Sequence, residues 1–205
     1  MKTYRPWVLA ALLAMPVLAP AADDPPASRD SVSREAATPM IDLNELIARV
    51  AKRTGKQFIV DPRVRAQIPL TGLDVDRVDY AKLLTILAVN QFSVYPSAGL
   101  IAVVPDANSR QFPIPASTQV SASALDEELV TVLLNPKNLC AAQLVPVLRP
   151  LMPQSAHMAA ATQANTLILV DRAANARRLV DLVERLDKAS PTGERCAATG
   201  KSDSK

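Results

Sequence analysis

The sequence is poor in the residues that most often carry out chemistry. It contains one histidine, five glycines and two cysteines among 205 residues. The histidine, His157, has no Cys, Asp or Glu at ligand spacing beside it, so neither a metal site nor a histidine-dependent nucleophile is predicted. The glycines are not spaced as in a phosphate-binding loop. We therefore predict no enzyme, no catalytic residue, no metal and no cofactor.

Aromatic side chains and excess charge are also scarce. Aromatic residues make up 3% of the chain. Four of them fall on predicted strands or core faces, namely Phe58, Tyr80, Phe92 and Tyr95. There is neither a stacking platform nor a GxxG clamp for RNA. The formal net charge of +3 falls by two if Lys2 and Arg5 are removed with a leader peptide. A nearly neutral protein lacks the electrostatic term that drives nucleic-acid binding, so no nucleic-acid partner is predicted.

The N-terminus has the pattern of a secretory signal peptide. Lys2 and Arg5 precede an apolar run at residues 7–18, and residues 19–21 are small at the position of a cleavage site. The run is shorter than the roughly 20 residues that span a bilayer. We predict cleavage after Ala21, export to the periplasm and a mature chain that is not embedded in a membrane. There is no cysteine near the cleavage point that could carry a lipid.

Composition divides the rest of the chain into two modules and three polar segments. Residues 22–37 are rich in charge, serine and proline and predict a flexible lead-in. A first module is expected at 38–105 and a second at 127–188. Residues 106–126, rich in proline, serine and alanine, predict an extended linker. Residues 189–205 predict a disordered tail.

In the first module, helix signals are clear. Asp42 is placed to cap a helix, with Glu45 three residues later as in a capping box, and Gly55 closes it. Asp79 caps a second helix that ends near Asn90. Four short strands, the last two joined as a hairpin, are predicted at 57–60, 67–71, 92–95 and 100–104. Proline in the second of these predicts an edge strand.

The second module predicts the order strand, helix, strand, strand, helix. The apolar run Leu129–Leu134 suits a central strand. Asn138 is placed to cap a helix running to about Leu151. Pro146 lies inside that helix and predicts a kink or a later start. The remaining two strands and final helix are expected at His157–Ala161, 166–170 and 173–186.

Cys140 and Cys196 could form a disulfide in an oxidising compartment. If the sheet of the second module has two parallel strands with an antiparallel one between them, the last helix ends near the start of the first. The two cysteines could then meet. Two free thiols are the alternative, and the sequence leaves both open.

A basic patch is expected on the last helix. Its members are Arg172, Arg177, Arg178 and Arg185. We interpret the patch as a solvated face, with a contact between subunits as the alternative.

Motifs in both modules resemble those of one family. In the first module they are the helix starting at Asp42, the run Val60-Asp61-Pro62-Arg63-Val64-Arg65 and the strand at 100–104. In the second they are Ala164-Asn165-Thr166-Leu167-Ile168-Leu169-Val170-Asp171, Arg178-Leu179-Val180 and Glu184-Arg185-Leu186-Asp187. Together they resemble the N-terminal periplasmic modules of type II secretion secretins, the family of general-secretion-pathway protein D. Ala66 departs from the glycine that is usual there, and the first strand is shortened to about 39–42.

The resemblance implies an α+β fold of two small α/β modules. The first would be the N-terminal module of secretins and siderophore receptors, with two helices and short sheets. The second would be a βαββα, KH-like module. In the family the first module docks inner-membrane partners and the second packs side by side in a ring. No pore domain follows in this sequence, so pore formation by this chain alone is not expected.

We therefore expect a periplasmic adaptor or accessory protein of a secretin-type machine, which acts by protein–protein binding. Its expected partners are an inner-membrane secretion component or other secretin subunits, and it could form an oligomer. The binding route would be strand addition at the strand 100–104, with Leu100, Ile101 and Val103 as partner-binding residues. The alternatives are a signalling module of a TonB-dependent receptor and a DNA-handling module of a type IV pilus system.

Overall fold

The computed structural model describes residues 39–190, which fold as α+β with two small modules. The predicted signal peptide, its cleavage after Ala21, the lead-in and all of the tail beyond residue 190 lie outside these residues. We call residues 39–105 module one, residues 106–128 the connector and residues 129–190 module two. None of the helices within 39–190 has the length and apolar character needed to cross a membrane.

Module one contains five strands and two helices. Their bounds are β1 Met40–Asp42, α1 Leu43–Thr54, β2 Phe58–Val60, β3 Gln67–Pro69, α2 Tyr80–Val89, β4 Phe92–Ser97 and β5 Leu100–Pro105. β1 and β3 form a two-stranded antiparallel sheet. A second sheet has the order β2-β5-β4, with β2 parallel and β4 antiparallel to β5.

The helices of module one begin where the sequence predicts. Asp42 accepts a hydrogen bond from Asn44 N at 2.8 Å, and Asp79 accepts one from Lys82 N at 2.8 Å. Gly55 ends α1 in the left-handed conformation (φ 68°), which glycine adopts without steric cost. The predicted capping box is wrong, because the Glu45 carboxylate binds Arg49 at 2.7 Å.

The apolar faces of both helices pack against the sheets. The buried set is Ile41, Leu43, Leu46, Ile47, Val50, Val64, Ile68, Val78, Leu83, Leu84, Leu87, Phe92, Val94 and Val103. Burying each large aliphatic side chain stabilises the fold by about 1.5–3 kcal/mol. This core therefore accounts for the stability of module one.

The connector is ordered, which differs from the extended linker expected. A 3₁₀ turn at Asp106–Gln111 is followed by the short strand β6 (Ala116–Ser117), which pairs in parallel with module two. Phe112 stacks on Tyr95 of β4 at a ring separation of 4.6 Å. The prolines and serines suggested an extended chain, but long-range pairing of this kind leaves no local signal.

Module two has the predicted order of elements. They are β7 Leu129–Leu134, α3 Ala141–Leu148, β8 His157–Ala161, β9 Thr166–Arg172 and α4 Ala173–Ala189. The sheet order is β6-β7-β9-β8, with β9 antiparallel to both β7 and β8. The expected split arrangement, two parallel strands with an antiparallel one between them, is therefore present. Its core is formed by Val132, Leu134, Leu144, Leu148, Met158, Leu167, Leu169, Leu179 and Val183, with Ala141 and Ala176.

Helix α3 begins later than predicted. It starts at Ala141 after Cys140, keeps Pro146 inside and passes into a 3₁₀ turn at Arg149–Leu151. Asn138 is not its cap, because the residue that directly precedes the helix is Cys140; the side-chain amide of Asn138 donates to the backbone oxygen of Asp187 at 2.7 Å. Instead, the first amide of the helix, Ala141 N, donates to Asn165 Oδ1 at 2.8 Å.

Candidate protein-binding surfaces

The strand predicted to dock partners is not at an edge of its sheet. β5 pairs with β2 on one side and with β4 on the other, in register over Phe58↔Ile101 and Tyr95↔Ala102. Val103 is fully buried. The predicted strand addition at 100–104 is therefore wrong, since β5 has no free edge to offer. Leu100 and Ile101 are half-buried parts of a central strand.

The free edges of module one lie at β1 and β3 in the two-stranded sheet and at β2 and β4 in the three-stranded sheet. On the two-stranded sheet, Leu43 N donates to Ala66 O at 3.0 Å and Leu70 N donates to Pro39 O at 2.8 Å. In an antiparallel ladder this register turns the backbone groups of Ile41 toward β3 and those of Met40 away from it. The outer edge of β1 thus presents the N–H and C=O of Met40.

The two strands of this sheet differ in what their outer edges offer. Pro69 lies on β3 and has no N–H to donate. Met40, opposite Pro69, is 59% exposed, while Ile41 and Ile68 point into the core. The exposed face of the sheet therefore carries an apolar pair beside a polar one, Asp42 and Gln67, whose side chains are 3.3 Å apart.

β2 also has an unpaired side. Gln57 O accepts from Ile101 N and Asp61 N donates to Val103 O, both at 2.9 Å, so the backbone of Ile59 faces β5. Ile59 itself is 55% exposed. The strand ends at Val60, and the next residue, Asp61, binds Arg63 at 2.9 Å, with Pro62 between them. The hydrogen bonds from Arg63 lower the pKa of Asp61 to about 2.

The junction between the modules is centred on Arg172, the last residue of β9. Its guanidinium lies 3.3 Å from Asp106 Oδ2 and 3.5 Å from Glu127 Oε2, and its side chain is only 15% exposed. It also donates to Glu127 O at 3.2 Å and, more weakly, to Phe92 O at 3.4 Å. The side chain of Ser93 donates to Asp106 in the same cluster. Arg172 thus belongs to an internal polar network and not to a surface patch.

The rest of the predicted basic patch is also largely paired. Arg177 binds Asp126 at 2.9 Å and Arg185 binds Asp181 at 2.9 Å. Arg178 is exposed. Arg172 and Arg177 have acidic partners in the connector, so the interpretation of four solvated arginines is wrong for these two. The arrangement lacks the uncompensated charge that a polyanion would bind.

A third cluster ties the end of α4 to the loop before α3. The Asp187 carboxylate accepts three backbone N–H groups, from Lys137 at 2.9 Å, Asn138 at 2.7 Å and Leu139 at 2.8 Å. Burial favours the protonated acid, but these hydrogen bonds outweigh it and hold the pKa of Asp187 below its usual range. Asn165 joins the same loop, donating to Pro136 O at 2.8 Å.

The structure describes one of the two cysteines of the predicted disulfide. Cys140 lies immediately before α3 and is not a free thiol. Cys196 lies outside the described residues. The disulfide between them stays a prediction.

No grouping of three or more His, Cys, Asp or Glu side chains in the described part of the chain could hold a metal ion. His157 is exposed at the start of β8, an edge strand of the module-two sheet. What the described surfaces offer is backbone at strand edges and exposed apolar side chains. Binding of other polypeptide chains is the chemistry that suits such surfaces.

The sequence left the free edge of β1 unnoticed as a docking strand. The available signal was Pro69, which correctly predicted that β3 is an edge strand. In a two-stranded sheet the other strand, β1, must then also have a free edge. The network of Arg172 left no signal, because its partners lie 45 or more residues away.

Comparisons with known proteins give the same order of modules. Residues 39–103 match the family described as GspD-like, N0 domain, and residues 131–192 match the bacterial type II/III secretion system short domain. Secretin XcpQ of Pseudomonas aeruginosa is 31% identical over 150 residues, which cover 72% of this chain and 22% of that protein. Secretin OutD of Dickeya dadantii is 34% identical over 161 residues, covering 75% of this chain and 22% of that protein.

A solved structure agrees with these matches. The Klebsiella pneumoniae type II secretion system outer membrane complex, with PulD, PulS and the PulC HR domain, contains a chain that is 30% identical, with a TM-score of 0.63. The match covers 75% of this chain and 27% of that one. The chain thus spans about a quarter or less of the proteins it resembles. Through a GspD-like N0 domain followed by a secretin short domain, the chain belongs to the type II secretion secretins, in the non-enzymatic N-terminal part of that family.

Proposed function

We propose that the chain acts as a periplasmic adaptor or accessory of a type II secretion machine and binds partner proteins by strand addition at β1. The N-terminal domains of secretins are periplasmic, which supports the predicted export. The second module matches a secretion family over residues 131–192. A signalling role in a TonB-dependent receptor would not explain that match, and no feature of the chain favours a pilus role.

One observation carries the proposal, namely the open edge of β1. Met40 directs its N–H and C=O away from β3, and no hydrogen bond to either group is found within residues 39–190. An extended segment of a partner could pair with these groups as an added strand. The exposed side chains of Met40 and Pro69 would then supply apolar contact beside the new strand.

The other edges are less suitable. β3 has lost a donor at Pro69, and the edge strand β4 has lost one at Pro96, while Phe92 O of β4 already accepts from Arg172. The end of β2 is closed by Pro62 and by the ion pair between Asp61 and Arg63. Proline and charge at a strand edge are the usual means of preventing unwanted pairing. β1 contains no proline, and the carboxylate of its one charged residue, Asp42, is engaged by Asn44 N and by the side chain of Gln67.

The proposed partners are an inner-membrane secretion component or other secretin subunits. Support comes from the Klebsiella pneumoniae complex, in which the related PulD is present with the HR domain of PulC. A domain of the PulC HR kind is therefore the partner we propose for β1. Contacts with further copies of module two would be a separate interaction, leading to an oligomer.

Calorimetric titration of the chain with the PulC HR domain tests this proposal. We expect Met40→Pro to weaken binding about fivefold or more, because one intermolecular backbone hydrogen bond contributes about 1 kcal/mol. Met40 N–H has no partner within its own sheet, so the fold is retained. Ile59→Lys, at an equally exposed position on β2, is the matched control and should bind like the original chain.

Two outcomes would contradict the proposal. One is unchanged affinity of the Met40→Pro variant with a circular dichroism spectrum like that of the original chain. The other is a loss of binding in Ile59→Lys alone, which would place the docking edge at β2.

A further inference from the structure

The two modules are joined by side-chain contacts as well as by the connector. Arg172 extends from the end of the module-two sheet to the first strand of the hairpin in module one, where Phe92 O lies 3.4 Å from its Nη2. The same nitrogen is 3.3 Å from Asp106 at the start of the connector. Its Nε faces Glu127, at the end of the connector, at 3.5 Å. One side chain therefore touches module one and both ends of the connector.

The charges in this cluster are well removed from water. The side chains of Arg172 and Asp106 are 15% and 13% exposed, and that of Glu127 is 27% exposed. Ion pairs with so little solvent contact are weakly screened, and losing one partner leaves the others buried without compensation. Arg172 has two carboxylates to balance, so its removal disturbs the junction more than removal of either acid.

The connector also packs on both sides. Leu125 packs against the core of module one. Burial raises the pKa of Tyr80 in module one to about 12, and the charge of Glu128 in the connector contributes to this shift. On the other side, Ala173 N and Ala174 N at the start of α4 donate to Glu128 O at 2.8 Å and Asp126 O at 2.9 Å.

A further contact joins the connector to module two. Ser109 is buried, and its hydroxyl donates to Ser155 O of module two at 2.9 Å. Ser155 lines the same cavity as Asp106 and Arg172. The contact therefore fixes the connector to module two and does not by itself join module one to module two.

We propose that Arg172 is a latch that holds the two modules in one fixed orientation, so that the β1 edge of module one keeps a constant direction relative to the sheet of module two. Without the latch, the connector contacts alone let the modules reorient while each remains folded. This inference concerns the chain itself and does not depend on which partner β1 binds.

Residual dipolar couplings measured on the full mature chain test the latch. Couplings from both modules of the original chain are expected to fit one alignment tensor. In Arg172→Met the couplings within each module should still fit that module, while the two modules require different tensors. Arg185→Met removes an exposed arginine of α4, the helix that follows Arg172, and is the matched control, which should keep a single tensor.

A second variant keeps the proposal testable if Arg172→Met does not fold. Asp106→Asn keeps the size of the side chain but removes one charge partner of Arg172, and it lies outside the module-two core. It should give a smaller divergence of the two tensors in the same direction. A single shared tensor in Arg172→Met would overturn the proposal, and so would a single tensor in Asp106→Asn combined with an unfolded Arg172→Met.

Discussion

The carboxylate of Asp187 lies 2.7 Å from the backbone nitrogen of Asn138, although 49 residues separate them. The contact joins the last turn of α4 to the loop between β7 and α3. Two further amides of the loop point at the same carboxylate. A charged acceptor that satisfies three N–H groups holds a loop that has no sheet or helix pairing of its own.

Replacing Asp187 should destabilise module two. We expect Asp187→Ala to lower the free energy of unfolding by about 2–3 kcal/mol, because three amides lose a charged acceptor. Asp181→Ala, which removes only an exposed ion pair with Arg185 in the same helix, should cost about 0.5 kcal/mol. Urea unfolding followed by circular dichroism gives both values. Equal losses in the two variants would show that the loop contacts contribute little.

The same carboxylate should make stability depend on pH. The pKa of Asp187 in the folded protein lies below its ordinary value of 3.8. Its contribution is therefore complete above the unfolded pKa and is lost as the pH falls through the folded pKa. Buried Asp171 acts in the opposite sense, since burial raises its pKa and its contribution is lost as the pH rises.

The difference between the original chain and Asp187→Asn isolates this effect. The original chain should lose its advantage in urea midpoint as the pH is lowered below about 4. Asp181→Asn is the control and should follow the original chain throughout. An advantage that grows on acidification would contradict the assigned direction of the pKa shift.

Local sequence signals predicted the helices and strands well, but they predicted poorly which elements lie next to each other in space. Asp42, Asp79 and Gly55 marked helix ends that the structure has, because caps depend on bonds within a few residues. Asn138 looked equally suited to cap α3, but its backbone and side chain are both engaged by Asp187. The first amide of α3, Ala141 N, donates instead to Asn165 Oδ1, a distant acceptor that short spacing does not predict.

The docking edge was misplaced for a similar reason. The hairpin of β4 and β5 is visible in the sequence, because its strands are separated by a short turn. The parallel pairing of β2 with β5 joins segments about 40 residues apart and cannot be read from periodicity. Without it, β5 looks like an edge strand. The partners of Arg172 were missed because they lie in a connector whose composition suggested a flexible linker.

The disulfide between Cys140 and Cys196 can be tested directly. We expect protein prepared from the periplasm to show no reactive thiol when denatured without reductant, and two after reduction. Cys140→Ser and Cys196→Ser should each lower the free energy of unfolding by a similar amount, about 4 kcal/mol in the chain-entropy model. Two reactive thiols before reduction would rule out the bridge. A large effect of Cys140→Ser alone would show that Cys140 matters for packing and not for the bond.

The turn between β4 and β5 offers a substitution that should stabilise the chain. Ser97 pairs with Leu100, so Ala98 and Gly99 form a two-residue turn, and both have positive φ, 49° and 81°. Such turns favour Asn-Gly, because an L-residue with a Cβ other than Asn or Asp is strained in the left-handed region by about 1 kcal/mol. Ala98→Asn should therefore raise the free energy of unfolding by about 0.5–1 kcal/mol.

Two further variants at this turn separate backbone strain from packing. Ala98→Val adds a β-branched side chain at the same positive φ and should destabilise the chain. Gly99→Ala meets no atom within 4 Å of the added Cβ, so any loss there comes from the backbone alone. Urea unfolding should thus rank the chains in the order Ala98→Asn, original, Ala98→Val. A destabilised Ala98→Asn would mean that the exposed turn is held in this conformation by contacts that the larger side chain disrupts.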